Sequence, residues 1–380
     1  MRYANDEASR RLYTEYLTGH ERCNFQQSVE WAKVKSRWKN EIILAEDSQG
    51  NIIGGLSVLI RRIPLFGNLM YSPRGPICDT DDASALRQLT EGAELLAWRY
   101  NAMGLRMEPD IPSDDRRFRA IAEDLGWRIR EQTGGAADVI QPRHVFRLDL
   151  RGKTQEQLWN GFSSQLRYKI RLAWRRGVDV RKGSLPEDLP LFHSLLEETG
   201  RRDHFLVRPL SYLERMWAEL GPEHMSLLLA YTAEGELIAG TICVHYGNKT
   251  WYAFGASADR HRELMAGYLL QWENIRRAAL LGDAVYDLRG VLENPDVSNG
   301  LYLFKSRFGG KLTEFIGELY MPYRPVRFRL YRLAERAYMA LRDRRVTRRR
   351  AREQRRLTHP SPLPWPLPAD DPDAGGPMSA

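Results

Sequence analysis

One segment of the chain occurs twice. Residues 44–55 read Leu-Ala-Glu-Asp-Ser-Gln-Gly-Asn-Ile-Ile-Gly-Gly, and residues 229–240 read Leu-Ala-Tyr-Thr-Ala-Glu-Gly-Glu-Leu-Ile-Ala-Gly. Leucine, alanine, glycine, isoleucine and glycine recur at matching places, at an offset of 185 residues (229 − 44). Each copy is typical of a strand, a glycine turn and a second strand. Because the offset is about one domain length, the pattern predicts two copies of one fold.

The order of elements after each hairpin indicates the kind of fold. A further strand and a helix follow both copies, which is the plan of an acyltransferase domain of the GNAT type. We therefore expect an α/β protein with mixed sheets, built from two tandem GNAT-like domains. The first would span residues 1–148 and be completed by residues of about 318–340, and the second would span 149–317.

Composition places the chain in a broad class. With 380 residues, 43% of them hydrophobic, the chain can bury a core in each domain. No run approaches the roughly 18 apolar residues that span a bilayer, and the N-terminus lacks the apolar run of a signal peptide. Cys23, Cys78 and Cys243 have neither metal-ligand spacing nor even pairing. These features predict a monomeric cytoplasmic protein without a metal or cofactor.

The net charge of +8 comes from one segment. Residues 324–357 contain 14 arginines against Glu335, Asp343 and Glu353, a local net charge of +11, so the rest of the chain carries 8 − 11 = −3. This segment predicts an arginine-rich helix over 329–356 that could contact an anionic membrane or RNA. Its apolar residues are Tyr331, Leu333, Tyr338 and Leu341. The tail, 358–380, is rich in Pro, Asp and Gly and predicts disorder.

A glycine-rich stretch has the residues of a catalytic loop. Val285 to Leu288 alternates with polar neighbours as a strand does, and Asn294-Pro295-Asp296 interrupts regular structure. The sequence then predicts a helix over 301–308 that ends at two glycines, and a strand over 312–320. Lys305 is the single lysine of that helix. Its ammonium could lie beside a developing oxyanion, or it could be an ordinary solvated side chain.

Several separated motifs carry a family resemblance. They are Gln27-Ser-Val-Glu-Trp-Ala-Lys-Val-Lys35, Tyr71-Ser-Pro-Arg-Gly-Pro76, Tyr286-Asp-x-x-Gly-Val291, Gly300-Leu-x-x-Phe-Lys-x-x-Phe-Gly-Gly310 and Phe315-Ile-Gly-Glu318. In this order they resemble the signature of the Fem family, the aminoacyl-tRNA-dependent transferases that build peptidoglycan interpeptide bridges. The resemblance runs from about Phe25 to Tyr323 and also implies two GNAT-like domains. No long heptad insertion lies between Leu195 and Met225, so the chain resembles the type without a coiled-coil arm.

The resemblance also implies roles for individual residues. Lys305, with Phe304 beside it, would stabilise the oxyanion, and Glu108 or Asp110 would be a general base at the end of a predicted strand. The residues expected to bind substrate are Lys35, Trp31, Arg208, Tyr212, Tyr252, Phe254 and Tyr302. Lys35, Arg208 and Tyr212 match positions that hold acceptor phosphates. Leu206 stands where a hydroxyl residue is expected, which leaves room for a lipid-linked acceptor.

A basic stripe is the candidate site for tRNA. Arg167, Arg171 and Arg175 recur every four residues and form one stripe along a predicted helix, and Lys169 nearby adds to the basic patch. Such a stripe attracts nucleic-acid phosphates without sequence specificity, and a solvated helix face explains it equally well.

The ordinary GNAT donor, acyl-CoA, fits the sequence poorly. Its pyrophosphate needs bare backbone amides in a glycine turn at a helix N-terminus. In the corresponding run, Arg262-Glu-Leu-Met-Ala-Gly267, Met265 occupies the place of the first glycine. The sequence thus predicts transfer of an amino acid from aminoacyl-tRNA to the stem-peptide amine of a lipid-linked or nucleotide-linked peptidoglycan precursor. The alternatives are an N-acyltransferase with another donor and an RNA-binding or membrane-surface protein.

Overall fold

The computed structural model describes residues 1–130, 140–203, 205–291 and 300–358, with side chains as far as residue 341. Residues 1–335 form one compact unit, and the chain from Arg336 onward forms another. The predicted Asn294-Pro295-Asp296 loop and residues 359–380 of the predicted tail lie outside the described residues.

The first half of the chain, completed by one strand from beyond residue 317, builds an eight-stranded mixed sheet. Its strand order is β1-β2-β3-β4-β6-β15-β7, with β5 beside β3. The strands are β1 (Arg2–Tyr3), β2 (Lys39–Glu46), β3 (Ile52–Ile63), β4 (Gly67–Arg74), β5 (Ile77–Cys78), β6 (Ala102–Pro109), β7 (Arg128–Arg130) and β15 (Glu318–Met321). The helices are α1 (Glu7–Gly19), α2 (Val29–Val34), α3 (Ala83–Arg99) and α4 (Arg116–Asp124).

The second half builds a seven-stranded mixed sheet in the order β14-β8-β13-β12-β11-β10-β9. The strands are β8 (His144–Asp149), β9 (Asp179–Lys182), β10 (Met225–Tyr231), β11 (Leu237–Tyr246), β12 (Lys249–Ser257), β13 (Val285–Gly290) and β14 (Lys311–Glu314). The helices are α5 (Gln155–Gly161), α6 (Ser164–Arg175), α7 (Leu189–Asp203), α8 (Leu210–His224), α9 (Ala266–Leu280), α10 (Gly300–Ser306) and α11 (Pro325–Thr358). The predicted α/β class with two mixed sheets is confirmed.

The repeated segment forms equivalent hairpins in the two sheets. In β2–β3, Leu44 pairs with Gly55, and the register shifts between Ala45 and Glu46. In β10–β11, Leu229 pairs with Gly240, and the register shifts between Ala230 and Tyr231. Each position in the second hairpin is 185 residues after its counterpart (230 − 45, 231 − 46). The two hairpins therefore share even their bulge.

The last glycine of each copy makes room for an aromatic ring from a helix. A Cβ on Gly55 would lie 2.6 Å from Cε2 of Tyr13 in α1, and a Cβ on Gly240 would lie 2.8 Å from Cδ2 of Phe192 in α7. Both rings are fully buried. The glycines recur because each hairpin must be flat where its helix packs.

The two sheets share a hydrophobic core. Tyr13 and Leu17 of α1 belong to the same buried cluster as Phe192 of α7 and Leu227 of β10. Because this cluster joins both halves into one unit, the boundary expected at 148/149 stays a prediction.

The chain enters α2 through a 3-10 turn at Phe25–Gln27, and the side chain of Ser28 caps the new helix. One predicted element differs from the structure. The single strand expected over 312–320 is wrong, since this segment forms two strands. One belongs to the second sheet and the other to the first, and Gly317 between them has φ +100°.

The start of α11 is anchored to the first sheet by charge. Arg106 of β6, which is 2% exposed, pairs with Glu318 of β15 and donates to both carboxylate oxygens of Glu335 at 2.9 Å. Arg332 donates to Glu318 at 2.8 Å. Tyr331, expected among the free apolar residues of this helix, is instead half-buried against Phe66. The first three turns of the arginine-rich helix therefore belong to the folded body.

No helix among the described residues is both long enough and apolar enough to cross a bilayer.

Candidate active site

A gap opens between two parallel strands of the second sheet. β12 and β13 pair only where Lys249 to Trp251 faces Val285 to Asp287, although both strands continue further. Arg289 has φ +60°, a left-handed conformation that ends regular pairing. The equivalent strands of the first sheet, β4 and β6, stay paired over the whole of Asn68–Arg74. Of these two strand pairs, only that of the second sheet opens.

Lys305 occupies this gap. It is 5% exposed, and its Nζ donates to the carbonyl oxygen of Gly290 at 2.7 Å. The same Nζ lies 5.9 Å from the ring centroid of Tyr252 on β12. No ion pair to a carboxylate is found for Lys305 in the part of the chain that the structure describes. The amine is thus held between the two strands and retains hydrogens for another acceptor.

The surroundings of Lys305 disfavour its charge. Burial and, to a smaller extent, the charge of Arg289 lower the pKa of its ammonium to about 7, against the opposing effect of Asp287. At neutral pH the amine is close to its point of half-protonation. A cation that is poorly solvated in its resting state gains most from an oxyanion that forms beside it.

For the amide-forming transfer that the sequence predicts, this pKa leads us to expect a plateau in the pH profile. The acceptor amine must be neutral to attack, so kcat/KM should rise with pH until Lys305 loses its proton at about pH 7 and cancels the gain. In Lys305→Arg the charge persists, and the residual kcat/KM should keep rising to about pH 9. Initial rates from about pH 6 to about pH 9 test this. Identical profile shapes would contradict it.

A small cleft, open to solvent, lies beside Arg289 and brings residues of both sheets together. Its lining is apolar and aromatic on some sides and charged on others. The residues are Asn24, Phe25, Gln26, Arg74, Pro142, Val145, Arg147, Trp251, Asp287, Arg289 and Phe315. Concave sites of this mixed character bind small polar ligands or peptide segments.

A buried ion-pair chain joins the two sheets behind the cleft. Arg147 of β8 donates to both oxygens of Asp110, at 2.8 and 2.5 Å, and to Asp287 at 2.9 Å. This contact holds the pKa of Asp110 well below its usual range despite burial. Asp110 was expected as a possible general base, and the structure argues against that role because a carboxylate so firmly paired accepts a proton poorly.

Glu108 is the better proton acceptor of the two. It is 2% exposed, and neither carboxylate oxygen has a hydrogen bond of normal geometry within the described residues. Burial raises its pKa to about 7, while Arg106 and the neighbouring Tyr71 hydroxyl oppose the shift. That pKa suits a general base, but Glu108 is not among the residues that line the cleft. Its role stays a prediction.

The residues expected to bind acceptor phosphates lie together. Lys35 Nζ donates to the Tyr212 hydroxyl at 3.1 Å and sits 4.3 Å from the Trp31 ring centroid. The Arg208 guanidinium carbon is 5.3 Å from the Tyr212 ring centroid. Burial, followed by the charges of Arg208 and Arg289, lowers the pKa of Lys35 to about 8. No carboxylate pairs with Lys35 or Arg208 in the described ranges, so the cluster is open to an anion.

The aromatic residues Tyr252, Phe254, Tyr302 and Phe304, which were singled out from the sequence, lie in two different parts of the core. Tyr302 contacts Phe146 at 5.3 Å between ring centroids, and Phe304 contacts Tyr268 at 5.1 Å. They and Tyr252 belong to the core of the second sheet, beside Lys305. Phe254 packs instead into the core shared by both halves, because a bulge between Ile242 and Cys243 changes the register of β12. Tyr252 therefore faces Lys305, whereas Phe254 lies in a different hydrophobic cluster.

The predicted basic stripe lies on α6. Arg171 and Arg175 are exposed and stack near the rings of Trp159 and Tyr168. Arg167 instead donates to the carbonyl oxygens of Asn160 and Phe162. It therefore caps the end of α5 with part of its guanidinium.

Lys169 links the stripe to the gap. Its Nζ contacts the Tyr268 hydroxyl at 3.3 Å, and Arg307 donates to the same hydroxyl at 2.9 Å. The Tyr268 ring also meets Phe304, the neighbour of Lys305. A continuous basic and aromatic surface thus leads from α6 to the helix that carries Lys305.

Sequence reasoning missed the roles of four charged residues. Arg74 and Asp287 stand inside recognised motifs, but their partners are distant in sequence. Arg147 has no local signal at all. The position of the Arg289 side chain depends on a positive φ, and an arginine in the sequence gives no signal of that backbone conformation.

The N-terminus of α9 is where the ordinary GNAT donor would bind. Met265 caps this helix with φ +59° and His261 precedes it with φ +58°, so two side chains occupy left-handed positions in this turn. The predicted obstruction therefore coincides with an observed non-glycine turn. Within the described residues, no cluster of three or more His, Cys, Asp or Glu side chains could hold a metal.

Comparison with known families and sequences gives a consistent result. A model of the FemAB family matches residues 9–236 and 230–336. The chain is 31% identical over 323 residues to the UDP-N-acetylmuramoylpentapeptide-lysine N(6)-alanyltransferase of Weissella viridescens, covering 83% of this chain and 94% of that protein. It is 26% identical over 395 residues to the lipid II:glycine glycyltransferase of Staphylococcus haemolyticus, covering 84% and 92%.

Solved structures agree on the fold. The crystal structure of FemX superposes with a TM-score of 0.79 at 23% identity, over 88% of this chain and all of that one. A tandem GNAT protein from the clavulanic acid biosynthesis pathway superposes with a TM-score of 0.50 at 13% identity, over 84% of this chain and 98% of that one. Two GNAT-like halves in tandem are therefore the architecture of this chain.

Proposed function

Because this chain belongs to the FemAB family, we propose that it transfers an amino acid from aminoacyl-tRNA to the stem-peptide amine of a peptidoglycan precursor. The family makes it an amide-forming aminoacyltransferase. The acceptor is lipid II or its nucleotide-linked counterpart, the substrates that the names of its relatives give. The product is one branch of an interpeptide bridge.

The observation that carries this proposal is the buried amine of Lys305 in the gap between β12 and β13. A buried cation with a lowered pKa, held by the carbonyl of Gly290 and without an ion pair in the part of the chain that the structure describes, is suited to receive a transient negative charge. The same gap is bordered by Arg289, which also affects the pKa of Lys35 in the anion-binding cluster.

The chemistry needs only positioning and charge stabilisation. The neutral stem amine attacks the ester carbonyl of the donor, a C–N bond forms, and the carbonyl oxygen becomes an oxyanion beside Lys305. The ester C–O bond then breaks, and the ribose hydroxyl leaves with a proton that the attacking nitrogen has released. Ester aminolysis is downhill, so the enzyme mainly has to align two large substrates. Glu108 is the proposed proton acceptor, on the strength of its raised pKa.

The donor route follows the basic surface of α6. Lys169, Arg171 and Arg175 would contact phosphates of the tRNA acceptor end, and exposed Tyr168 and Trp174 could stack with unpaired bases. Lys169 and Arg307, joined through Tyr268, would guide the ester toward Lys305.

The direct test of this function is a transfer assay. The purified chain is incubated with pools of charged tRNA and with either nucleotide-linked or lipid-linked precursor, and products are identified by mass spectrometry. The proposal expects a precursor heavier by one or more amino-acid residues, formed only with charged tRNA. Transfer from acyl-CoA, or from a free amino acid with ATP, would contradict the proposal that charged tRNA is the donor.

We expect Lys35→Ala and Arg208→Ala to weaken acceptor binding selectively. Each should raise the acceptor KM roughly 10- to 100-fold, since a hydrogen bond to a charged group contributes about 1.5–3 kcal/mol. The KM for charged tRNA should not change. Lys33→Ala, on the exposed side of the same helix, is the matched control. A rise in the tRNA KM instead would assign the cluster to the donor.

The helix beyond Glu335 is proposed as a membrane contact at the inner face of the plasma membrane. Tyr338 and Leu341 are 66 and 54% exposed, and ten of the segment's fourteen arginines follow Glu335. Each basic residue near an anionic surface contributes about 1 kcal/mol to binding. The lipid-linked acceptor would be reached on the same surface.

Deleting residues 336–380 should separate the two acceptors. The truncated protein keeps the anchored start of α11, so activity on nucleotide-linked precursor should persist. Binding to anionic vesicles and activity on lipid-linked precursor in those vesicles should fall steeply. Co-sedimentation with anionic and neutral vesicles at low and high salt measures the first effect. Equal sedimentation of both proteins, or lost tRNA binding, would contradict the membrane role.

A further inference from the structure

Two arginines in the cleft form no ion pair with a carboxylate among the described residues. Arg74 ends β4 and is 6% exposed, and its Nη2 donates to the carbonyl oxygen of Pro142 at 2.7 Å. Arg289 lies near the end of β13, and its guanidinium makes no hydrogen bond or ion pair with any residue that the structure describes. Arg147 in the same lining is different, because it pairs directly with both Asp110 and Asp287. Within the described residues, Arg74 and Arg289, one from each sheet, therefore keep their guanidinium groups available for a further anion, although Asp287 is near enough to attract both.

The backbone of both arginines is strained. Arg74 has φ +62° and Arg289 has φ +60°, and both are left-handed conformations that side chains other than glycine avoid. Each costs on the order of 1 kcal/mol, and such strain tends to persist where a side chain must point into a functional site. Here each strained residue ends a strand at the edge of the same cleft.

The rest of the lining limits the ligand class. Phe315 lies 4.6 Å from the Arg74 guanidinium carbon, and Phe25 lies 5.9 Å from that of Arg289, so rings support both arginines. Asp287 also lines the cleft and would repel a polyanion such as an RNA strand. A small ligand with a single carboxylate among peptide groups fits this combination of charges, since guanidinium groups bind carboxylates through paired hydrogen bonds.

We propose that Arg74 and Arg289 together bind a carboxylate of the acceptor peptide. The inference rests on the proposed function and adds a specificity site to it. Arg289 lies near both Lys35 and Lys305, and its positive charge lowers the pKa of each. A peptide whose phosphate end lies at Lys35 and whose amine reacts beside Lys305 must pass it. The carboxylate is either the C-terminus of the peptide or an acidic residue within it.

The test uses three nucleotide-linked acceptor peptides: the free acid, a C-terminal amide, and one whose internal acidic residue is an amide. Binding is measured by calorimetry, and kcat/KM is measured with a saturating donor. The wild type should lose roughly 10- to 100-fold in affinity and in kcat/KM with one of the two amides. The amide that causes the loss identifies the carboxylate.

Variants of the two arginines supply the second half of the test. Arg74→Gln and Arg289→Gln should bind the free acid as weakly as the wild type binds that amide, and should no longer distinguish acid from amide. Arg289→Gly separates side-chain loss from backbone strain, because glycine adopts φ +60° freely. Arg87→Gln, an exposed arginine on α3, is the control.

The outcomes distinguish this inference from the proposed function. Equal use of all three acceptors by the wild type would overturn the carboxylate site, and so would a preference that survives in both Gln variants. A change confined to the KM for charged tRNA would assign the arginines to the donor and also overturn it. Absence of any transfer product would refute the function alone, because calorimetry tests the carboxylate site without turnover.

Discussion

Replacing Lys305 with methionine is expected to lower kcat by roughly 100- to 1,000-fold, the usual cost of removing one donor from an oxyanion site. Methionine keeps most of the volume of the side chain, so α10 and the aromatic residues beside it should stay packed. The acceptor KM should change little, because Lys305 meets the charge that forms during transfer rather than the bound substrate.

Single-turnover rates with pre-bound acceptor measure this effect directly, because they exclude product release. Lys311→Met, an exposed lysine a few residues further on, is the matched control and should transfer at the wild-type rate. A Lys305→Met variant that kept more than about a tenth of the wild-type rate would refute the oxyanion role.

Replacing Arg147 with methionine is expected to destabilise the folded protein by about 3–5 kcal/mol. The loss would leave Asp110 and Asp287, which are 5% and 3% exposed, without their shared cation. A buried carboxylate without a partner must either remain charged at high cost or take up a proton. Urea unfolding followed by circular dichroism measures the change as a lower midpoint.

Neutralising the two carboxylates that are left without a partner should restore part of this stability. The triple variant Arg147→Met, Asp110→Asn, Asp287→Asn should unfold at higher urea than Arg147→Met alone, since neutral amides are cheaper to bury. Arg151→Met breaks an exposed pair with Asp149 and should leave the midpoint almost unchanged. A midpoint for Arg147→Met equal to that of Arg151→Met would show that the buried pairing does not hold the halves together.

The repeated architecture was predictable because its signal is local. Glycine and leucine positions in the two hairpins record where strands turn and where a helix packs, and the matching bulges follow the same residues. The break between β14 and β15 was not predictable in this way. Both strands have strand-like composition, and the change of sheet depends on partners more than 150 residues away, at Arg147 and Arg106.

The candidate site divides along the same line. Lys35 and Tyr212 are 177 residues apart in the sequence and could be grouped only by family resemblance. In the structure, Lys35 Nζ lies 3.1 Å from the Tyr212 hydroxyl oxygen. Lys305 could be singled out from its own helix and glycines. The environment of Asp110 could not be predicted from the sequence. The residue that lowers its pKa, Arg147, lies on a strand of the other sheet.

The unequal strand pairs of the two halves have a consequence for stoichiometry. β4 stays hydrogen-bonded to β6 from Asn68 to Arg74, whereas β12 and β13 separate beyond Asp287. Only one of the two halves therefore has a space between these strands. Under the proposed function, one chain would hold one donor at a time, and a bridge of several residues would require spent tRNA to be exchanged for charged tRNA after each transfer.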